Sequence, residues 1–305
     1  MPSPDVTVVL PVRGPGPYFA AALASALAEE PAEVLVVEDG TEGVDESALG
    51  GARLLRLPHV RRSRARNAGV EAATTPYVAF LDDDDLTLPG RLARQRAALA
   101  AAPEATFTYG WVDFVDGSGQ PHVHWTDEQG TPVGDWTPIL AARFDELVAR
   151  GSTYDAIAEL GGPLYTSATM VRRESFLAAG GYDPAFDAHE DIDLYLRLAR
   201  LGPVVPTLGG PVTAYRVHGQ NTRSDDLYLG IVGVTEKHLP LARGGARRAL
   251  LERRVDALWG LGAFPAARRA AFSAAVTDPR LLSHPRFAKR LLGLTLPTRM
   301  LEARR

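Results

Sequence analysis

Apolar, β-branched runs at 6–12, 33–38 and 77–81 alternate with helical stretches, and this alternation constrains the fold more than any other feature of the chain. An Ala-rich helix over 18–29 separates the first two runs. A short strand at 52–57 and a helix over 61–73, carrying Arg61, Arg62, Arg64 and Arg66, precede the third. A further helix follows over 88–101. Strand–helix–strand units of this kind predict an α/β fold: a mostly parallel sheet flanked by helices on both faces. Pro11 marks the end of the first strand, because proline cannot donate to a ladder. The runs break off in Arg13-Gly14-Pro15-Gly16-Pro17, in Glu38-Asp39-Gly40-Thr41 and in Asp82-Asp83-Asp84-Asp85. The carboxyl ends of strands are where open α/β sheets bind ligands.

The third break holds four consecutive carboxylates. Like charges side by side cost stability unless a cation sits among them. Hard oxygen ligands without any Cys suit Mg2+ or Mn2+ rather than zinc. The plainer reading is a solvated acidic turn, with Asp85 capping the helix that begins near Leu88.

From 106 to 163 the alternation fails. Residues 106–115 alternate like an edge strand, Asp116-Gly117-Ser118-Gly119 reads as a turn, and His122-Val123-His124-Trp125 as the return strand. Trp111, Trp125 and Trp136 fall in this region, which fits either a packed hairpin or an aromatic surface for a ring-shaped acceptor. His122 and His124 share a strand face but lack a third ligand, and read as surface residues. A strand over 165–172, a turn at Gly180-Gly181-Tyr182-Asp183-Pro184, a helix opening at Glu190-Asp191-Ile192-Asp193 and a last strand over 212–217 follow. Beyond about Ser224 the chain reads as helical, punctuated by Pro240, Pro265, Pro279, Pro285 and Pro297, so a boundary is expected near 225.

The net charge of −4 hides an asymmetry: 241–305 carry 14 Arg or Lys against 4 Asp or Glu, leaving an acidic body. That balance excludes a nucleic-acid-binding domain but permits the tail to touch an anionic surface. An apolar share of 46% supports a core. The absence of Cys excludes disulfides and thiolate metal sites, and a reducing, cytoplasmic location is expected. No signal peptide is apparent, and the longest charge-free runs, 14–28 and 201–215, are short of a membrane span.

Five stretches in order (Val9-Leu10-Pro11-Val12, Val36 to Thr41, Ala65-Arg66-Asn67-Ala68-Gly69, Phe80 to Asp85, and Gly181-Tyr182-Asp183 with Glu190-Asp191-Ile192-Asp193-Leu194) resemble the family 2 glycosyltransferases of the GT-A fold. The resemblance covers roughly 5–220. It departs from the family pattern at Arg13-Gly14, where an aromatic-Asn pair is usual, at Glu38 for an Asp, and at Asp83 between the two acids of Asp-x-Asp.

The resemblance implies a catalytic domain over 1–224, with a nucleotide-sugar half at about 1–102 and an acceptor half at about 103–224, followed by a basic helical extension at 225–305. It implies inverting transfer of a sugar from a nucleotide diphosphate donor, uridine being the family's commonest base. Pro11, Val12, Arg13, Asp39, Arg66, Asp82 and Asp83 would bind the nucleotide. Asp84 and His218 would hold Mn2+ or Mg2+, Asp191 would act as general base, and Trp111 and Glu190 would face the acceptor. Asp193 is expected to brace its helix or the acceptor.

The acceptor class stays open among saccharide, lipid-linked and small-molecule hydroxyls. For the tail, peripheral contact with the inner membrane face, packing on the catalytic domain and homodimerisation are the alternatives. The rival functions are a nucleotidyltransferase, which usually carries a Lys in its Gly-rich loop where this chain has none, and a silent nucleotide-sugar-binding protein.

Overall fold

The computed structural model describes residues 3–40, 43–122, 124–126, 132–135, 137–161, 163–218, 224–283, 287, 288 and 291. Thr41, Val123, Trp136, Pro285 and Pro297 lie outside them. In chain order the elements are β1 (Ser3–Val12), α1 (Phe19–Leu27), β2 (Pro31–Asp39), β3 (Arg53–Leu57), α2 (Arg62–Ala72), β4 (Tyr77–Phe80), β5 (Leu86–Thr87) and α3 (Arg91–Ala101). Then come β6 (Phe107–Gly110), β7 (Val112–Val115), β8 (His124–Thr126), β9 (Pro132–Asp135), α4 (Thr137–Ala149) and α5 (Tyr154–Leu160). The remainder is β10 (Thr169–Arg172), α6 (Arg173–Ala178), α7 (Glu190–Leu201), β11 (Val204–Thr207), β12 (Thr213–Arg216), α8 (Ser224–His238), α9 (Gly244–Gly260) and α10 (Phe264–Thr277). The chain divides into a first unit, Met1–Thr153 with Gly162–Ala185 and Asp191–Asn221, and a second, Tyr154–Gly161 with Phe186–Glu190 and Thr222–Arg305.

The first unit is built on a seven-stranded sheet of order β11-β6-β10-β4-β1-β2-β3, in which β10 alone runs against its neighbours. Strands β1, β2 and β4 are apolar on both faces because both faces are covered. Val6, Val8, Leu10 and Val12 of β1 join Phe19, Leu23 and Ala26 of α1 and Leu92 and Leu99 of α3 in one core. On the opposite face α2 approaches so closely that a Cβ at Gly69 would lie 2.5 Å from Val9 Cγ1. Pro11 is inside β1, not at its end: β4 pairs only as far as Val9, while β2 pairs on through Val12.

Three local expectations are corrected, and one unforeseen strand is added. Residues 106–115 form two strands in two sheets: β6 lies inside the large sheet, and β7 pairs with β12 in a small β5-β12-β7 sheet. Gly110 makes the crossing feasible, because a side chain there would meet Val212 Cγ2 at 2.5 Å. The return strand pairs back only at its start: Pro121 bridges Val115 and the His122 amide donates to the Phe114 carbonyl at 2.8 Å, whereas β8 pairs with β9. Residues 166–168 form a 3-10 turn before β10 begins at Thr169. Finally, the charge-free 201–215 run contains strand β11, which tolerates Pro206 because it is the sheet's edge.

The second unit is a helical layer. Leu251, Val255 and Leu258 of α9 pack with Phe264, Ala267, Ala271 and Ala274 of α10, small residues letting the helices close up. Arg253 donates to the carbonyls of Ala158 and Glu159, satisfying the end of α5. Gly230 of α8 lies against Ala188, whose carbonyl oxygen would be 2.1 Å from an added Cβ. Among the described residues no helix is long and apolar enough to cross a membrane.

Candidate active site

The four acids ending β4 have separate environments. Asp82 Oδ1 accepts from Arg66 Nη2 at 2.5 Å, and the Asp82 amide donates to Ser167 Oγ at 3.0 Å. Burial alone would raise the Asp82 pKa, but Arg66 and Arg62 outweigh it and hold it low. Asp83 is pushed up to about 7 by burial and by the charges of Asp84 and Asp82. Asp84 Oδ2 lies 2.9 Å from His218 Nε2; burial and Asp82 raise its pKa while His218 opposes them. Asp85 is buried, and its Oδ1 accepts the Arg216 amide at 2.8 Å. Burial and the neighbouring acids hold it well above the ordinary carboxylate range.

Asp85 does not cap the next helix. That helix begins at Arg91, its N-cap is Gly90, and no cap side chain bonds to it. Glu29 takes over that task, accepting from the amides of Gly90 at 2.7 Å and Leu92 at 3.0 Å. Beneath the acids, fully buried Arg91 donates to the carbonyls of Phe80 and Thr169, at 2.7 and 3.2 Å, fixing the end of β4 against β10.

Arg216 is the cation that sequence reading missed. It is 5% exposed; Nε donates to the Asp84 carbonyl at 2.8 Å and Nη1 to the Asp116 carbonyl at 2.9 Å. Its guanidinium lies 4.3 Å from the Tyr18 ring centroid, and Tyr18 also packs on His218 at 5.3 Å. Arg62, on the same helix as Arg66, is exposed, yet its charge reaches Asp82, Asp83 and Asp191. The preceding Arg61 adopts φ 70°, a left-handed conformation costly for a residue with a Cβ.

Two motifs separated by 115 residues meet here. Asn67 Nδ2 donates to the Tyr182 carbonyl and Asn67 Oδ1 accepts the Tyr182 amide, both at 2.8 Å. Arg66 lies 5.3 Å from the Tyr182 ring centroid. Asp191 is partly buried, and Oδ1 accepts the Ile192 amide at 2.7 Å. Burial raises its pKa, with Arg66 and Arg62 opposing and Asp82 adding to the rise, so Asp191 shares an electrostatic environment with the acid run. Asp193 is buried and braces its helix through Arg197, at 2.7 Å.

At the end of β2, Asp39 is buried and Oδ1 accepts the Val60 amide at 2.5 Å, while Oδ2 lies 3.2 Å from His59 Nδ1. Gly40 is required there, since a Cβ would meet His59 N at 2.5 Å. Glu38 is buried too. Burial would raise its pKa, but the Val44 and Gly43 amides and Arg56 hold it below the usual range. Pro11 and Val12 sit on β1 beside this strand, whereas Arg13 is exposed. Trp111 packs edge-on against Phe144 at 5.6 Å and Phe114 at 6.4 Å. Glu190, the first residue of α7, is buried and belongs to the second unit.

The donor set fits a hard divalent cation. Among the described residues no three His, Asp or Glu side chains form a ready cage. Mg2+ and Mn2+ commonly take only one or two carboxylates and complete their shell with phosphate and water. Burial first, and then repulsion among the acids, raises the pKa values of Asp83 and Asp84, and a cation would relieve that repulsion.

The family model for glycosyl transferase family 2 matches residues 7–176. The succinoglycan biosynthesis protein ExoU of Rhizobium meliloti is 28% identical over 204 residues, 63% of this chain and 56% of that protein. The amylovoran biosynthesis glycosyltransferase AmsE of Erwinia amylovora is 27% identical over 184 residues, 58% of this chain and 61% of its own length. The chain thus matches little more than half of these relatives. Residues 1–349 of S. aureus TarS superpose with a TM-score of 0.60 at 13% identity, covering 98% of this chain and 90% of that one. A Pyrobaculum calidifontis mannosyltransferase, solved with GDP-Man and Mn2+, gives 0.57 at 16% identity, covering 99% and 88%. Those structures share the GT-A fold with this chain. With the sheet, the acid run and the family match in agreement, the chain belongs to glycosyl transferase family 2.

Proposed function

We propose that the protein is a metal-dependent inverting glycosyltransferase that moves a sugar from a nucleotide diphosphate donor to an acceptor hydroxyl. The observation that carries this reading is Asp191: a carboxylate with a raised pKa in the same electrostatic environment as Asp82 and Arg66. A general base works best when its pKa approaches the operating pH, and burial moves Asp191 in that direction. In the reaction Asp191 takes the proton of the acceptor hydroxyl while the oxygen of that hydroxyl bonds to the anomeric carbon. The bond from that carbon to the diphosphate breaks on the opposite face, and the electron pair leaves with the phosphate. Asp84 and His218 would hold the Mn2+ or Mg2+, with Asp83 beside them; when bound, the cation supplies Lewis-acid stabilisation of the departing charge.

Asp39 and the backbone of Pro11 and Val12 bind the base, Arg66 and Asp82 the ribose and diphosphate side, and Trp111 the acceptor. Arg13 reaches the diphosphate only by folding inward from its exposed position. TarS has been solved with UDP-GlcNAc and the Pyrobaculum enzyme with GDP-Man, which supports a nucleotide-sugar donor; uridine is the base we favour. A thermal-shift panel of UDP, GDP and their sugars with Mn2+ tests the donor, since ligands that bind the native state raise the melting temperature. Asp191→Asn is expected to keep donor binding and abolish transfer, and Asp84→Ala to weaken both. Retained turnover in Asp191→Asn removes the base assignment. Hydrolysis of a nucleotide-sugar that is lost in EDTA separates an enzyme from a silent binder.

For the basic extension we favour peripheral contact with an anionic membrane. Phe272 and Val276, one turn apart on α10, are 70% and 66% exposed, and Leu282 is 49% exposed, with Arg269 and Arg280 also exposed. Flotation of the full chain with anionic vesicles, weakened by Phe272→Ser with Val276→Ser, is the expected result. Concentration-dependent sedimentation without vesicle binding would point to a dimer face instead.

A further inference from the structure

Two tyrosines beside the carboxylates have no part in the chemistry above. Tyr165 leads into the 3-10 turn whose Ser167 Oγ accepts the Asp82 amide at 3.0 Å. Tyr215 lies on β12 directly before Arg216, whose amide donates to Asp85 Oδ1 at 2.8 Å. Each ring is therefore carried by backbone that is itself tied to the acid run. The two rings meet with centroids 5.0 Å apart, and Phe114 packs edge-on against both, at 5.6 Å from Tyr165 and 5.9 Å from Tyr215.

The electrostatics give the pair a direction. Burial raises the Tyr165 pKa, the charge of Asp191 adds to it, and Arg143 opposes it. Burial also raises the Tyr215 pKa, followed by the charges of Asp85, Asp82 and Asp84. The charge of Asp191 is thus felt at Tyr165 and those of Asp85, Asp82 and Asp84 at Tyr215, and both phenols stay protonated at neutral pH as hydrogen-bond donors.

Their hydroxyls are uncommitted. The buried hydroxyls of Tyr109 and Tyr195 find partners, Ser152 Oγ at 2.6 Å and Thr169 Oγ1 at 3.3 Å. Tyr165 and Tyr215 are only partly buried, and among the described residues neither of their hydroxyls has a hydrogen-bond partner. Tyrosine in an enclosed site usually presents its ring to one neighbour and its hydroxyl to another. Here the ring contacts are made and the polar ends are left over. Two neighbouring phenols, held by rings tilted 50° to each other, suit a ligand that carries several hydroxyls, as a pyranose does.

We propose that Tyr165 and Tyr215 form a sugar-recognition pair, binding neighbouring hydroxyls of the pyranose held between Asp84 and Asp191 and so selecting which sugar reacts. The proposal rests on the glycosyltransferase reading above. The pyranose comes either from the donor or from the acceptor, and the two sources give different results.

The test uses Tyr165→Phe and Tyr215→Phe in the full chain, which remove the hydroxyls and keep the ring packing. Calorimetric titration with Mn2+ compares UDP and GDP with UDP-GlcNAc and GDP-Man, and 4-nitrophenyl glycosides serve as acceptors. If the donor sugar is bound, diphosphate affinity stays within about twofold while nucleotide-sugar affinity falls about fivefold to tenfold per hydroxyl. If the acceptor is bound, donor affinities hold and KM for the glycoside rises by a similar factor with kcat largely kept. The proposal is overturned if both variants match wild type in nucleotide-sugar affinity and glycoside KM. It is also overturned if diphosphate and nucleotide-sugar affinities fall equally, since the hydroxyls would then not be reading the sugar. A wild-type protein that binds none of the four nucleotides removes the glycosyltransferase reading and this pair with it; normal wild-type binding with unchanged variants removes the pair alone.

Discussion

Replacing Arg216 by Met tests whether this guanidinium, and not only a metal, holds the acid run together. Arg216 is 5% exposed and contacts the carbonyls of Asp84, Asp116 and Gly117, at 2.8, 2.9 and 3.2 Å, while facing the Tyr18 ring at 4.3 Å. Met keeps much of the aliphatic stem but none of these bonds. A hydrogen bond from a charged donor contributes about 1.5–3 kcal/mol net, and a desolvated cation–π contact about 1–2 kcal/mol. Contacts to one guanidinium are not additive, so the expected loss is about 3–5 kcal/mol. It should show as a lower urea midpoint followed by tryptophan fluorescence.

The same reasoning makes a second demand. Without Arg216 the carboxylates of Asp82, Asp83 and Asp84 repel with less compensation, so saturating Mn2+ should stabilise Arg216→Met more than wild type. A loss below about 1 kcal/mol, or an equal Mn2+ increment in both proteins, would refute the idea that Arg216 offsets the acids.

Three further outcomes follow from the same geometry. Glu38 has a folded-state pKa below the ordinary glutamate value, so its contribution is present above pH 4.5 and is lost as pH falls through the folded value. Glu38→Gln should therefore cost about 1–3 kcal/mol at neutral pH, and its stability should converge with wild type in acid, as read by urea unfolding across pH. Glu29→Ala strips two amides at the start of α3 of their acceptor, at a cost of about 1–2 kcal/mol and with faster hydrogen exchange at Gly90 and Leu92. Gly69→Ala forces a Cβ to within 2.5 Å of Val9 Cγ1, so α2 must shift from the sheet; a loss of about 1–3 kcal/mol is expected in thermal unfolding.

Strands buried on both faces announce themselves as unbroken apolar runs, which is why β1, β2 and β4 and the acids after β4 were legible. Alternation in 106–115 was visible too, but a period of two says nothing about which sheet a strand joins, so the break at Trp111 was hidden. β11 was masked by Pro206, which argues against a strand unless the strand is known to be an edge. Arg216 stands near the end of its strand, where a lone Arg resembles any solvated charge; its role comes from carbonyls 99 to 132 residues away. Glu29 was missed for the same reason: it caps a helix from 61 and 63 residues upstream. The meeting of Asn67 with Tyr182 joins two motifs that were each visible, and only the fold brings them into contact.

The helical layer has a consequence for how the chain is made. α5 buries Ala156, Ile157 and Ala158 completely, and its last carbonyls are satisfied by Arg253, 95 residues later than Ala158. At about 5–20 residues per second, a ribosome takes roughly 5–20 seconds to bring that arginine into being. Throughout that interval a sticky segment has no surface to settle on and is open to chaperones or to aggregation. The hazard is fixed by distance along the message, and stabilising the finished protein does nothing to shorten it.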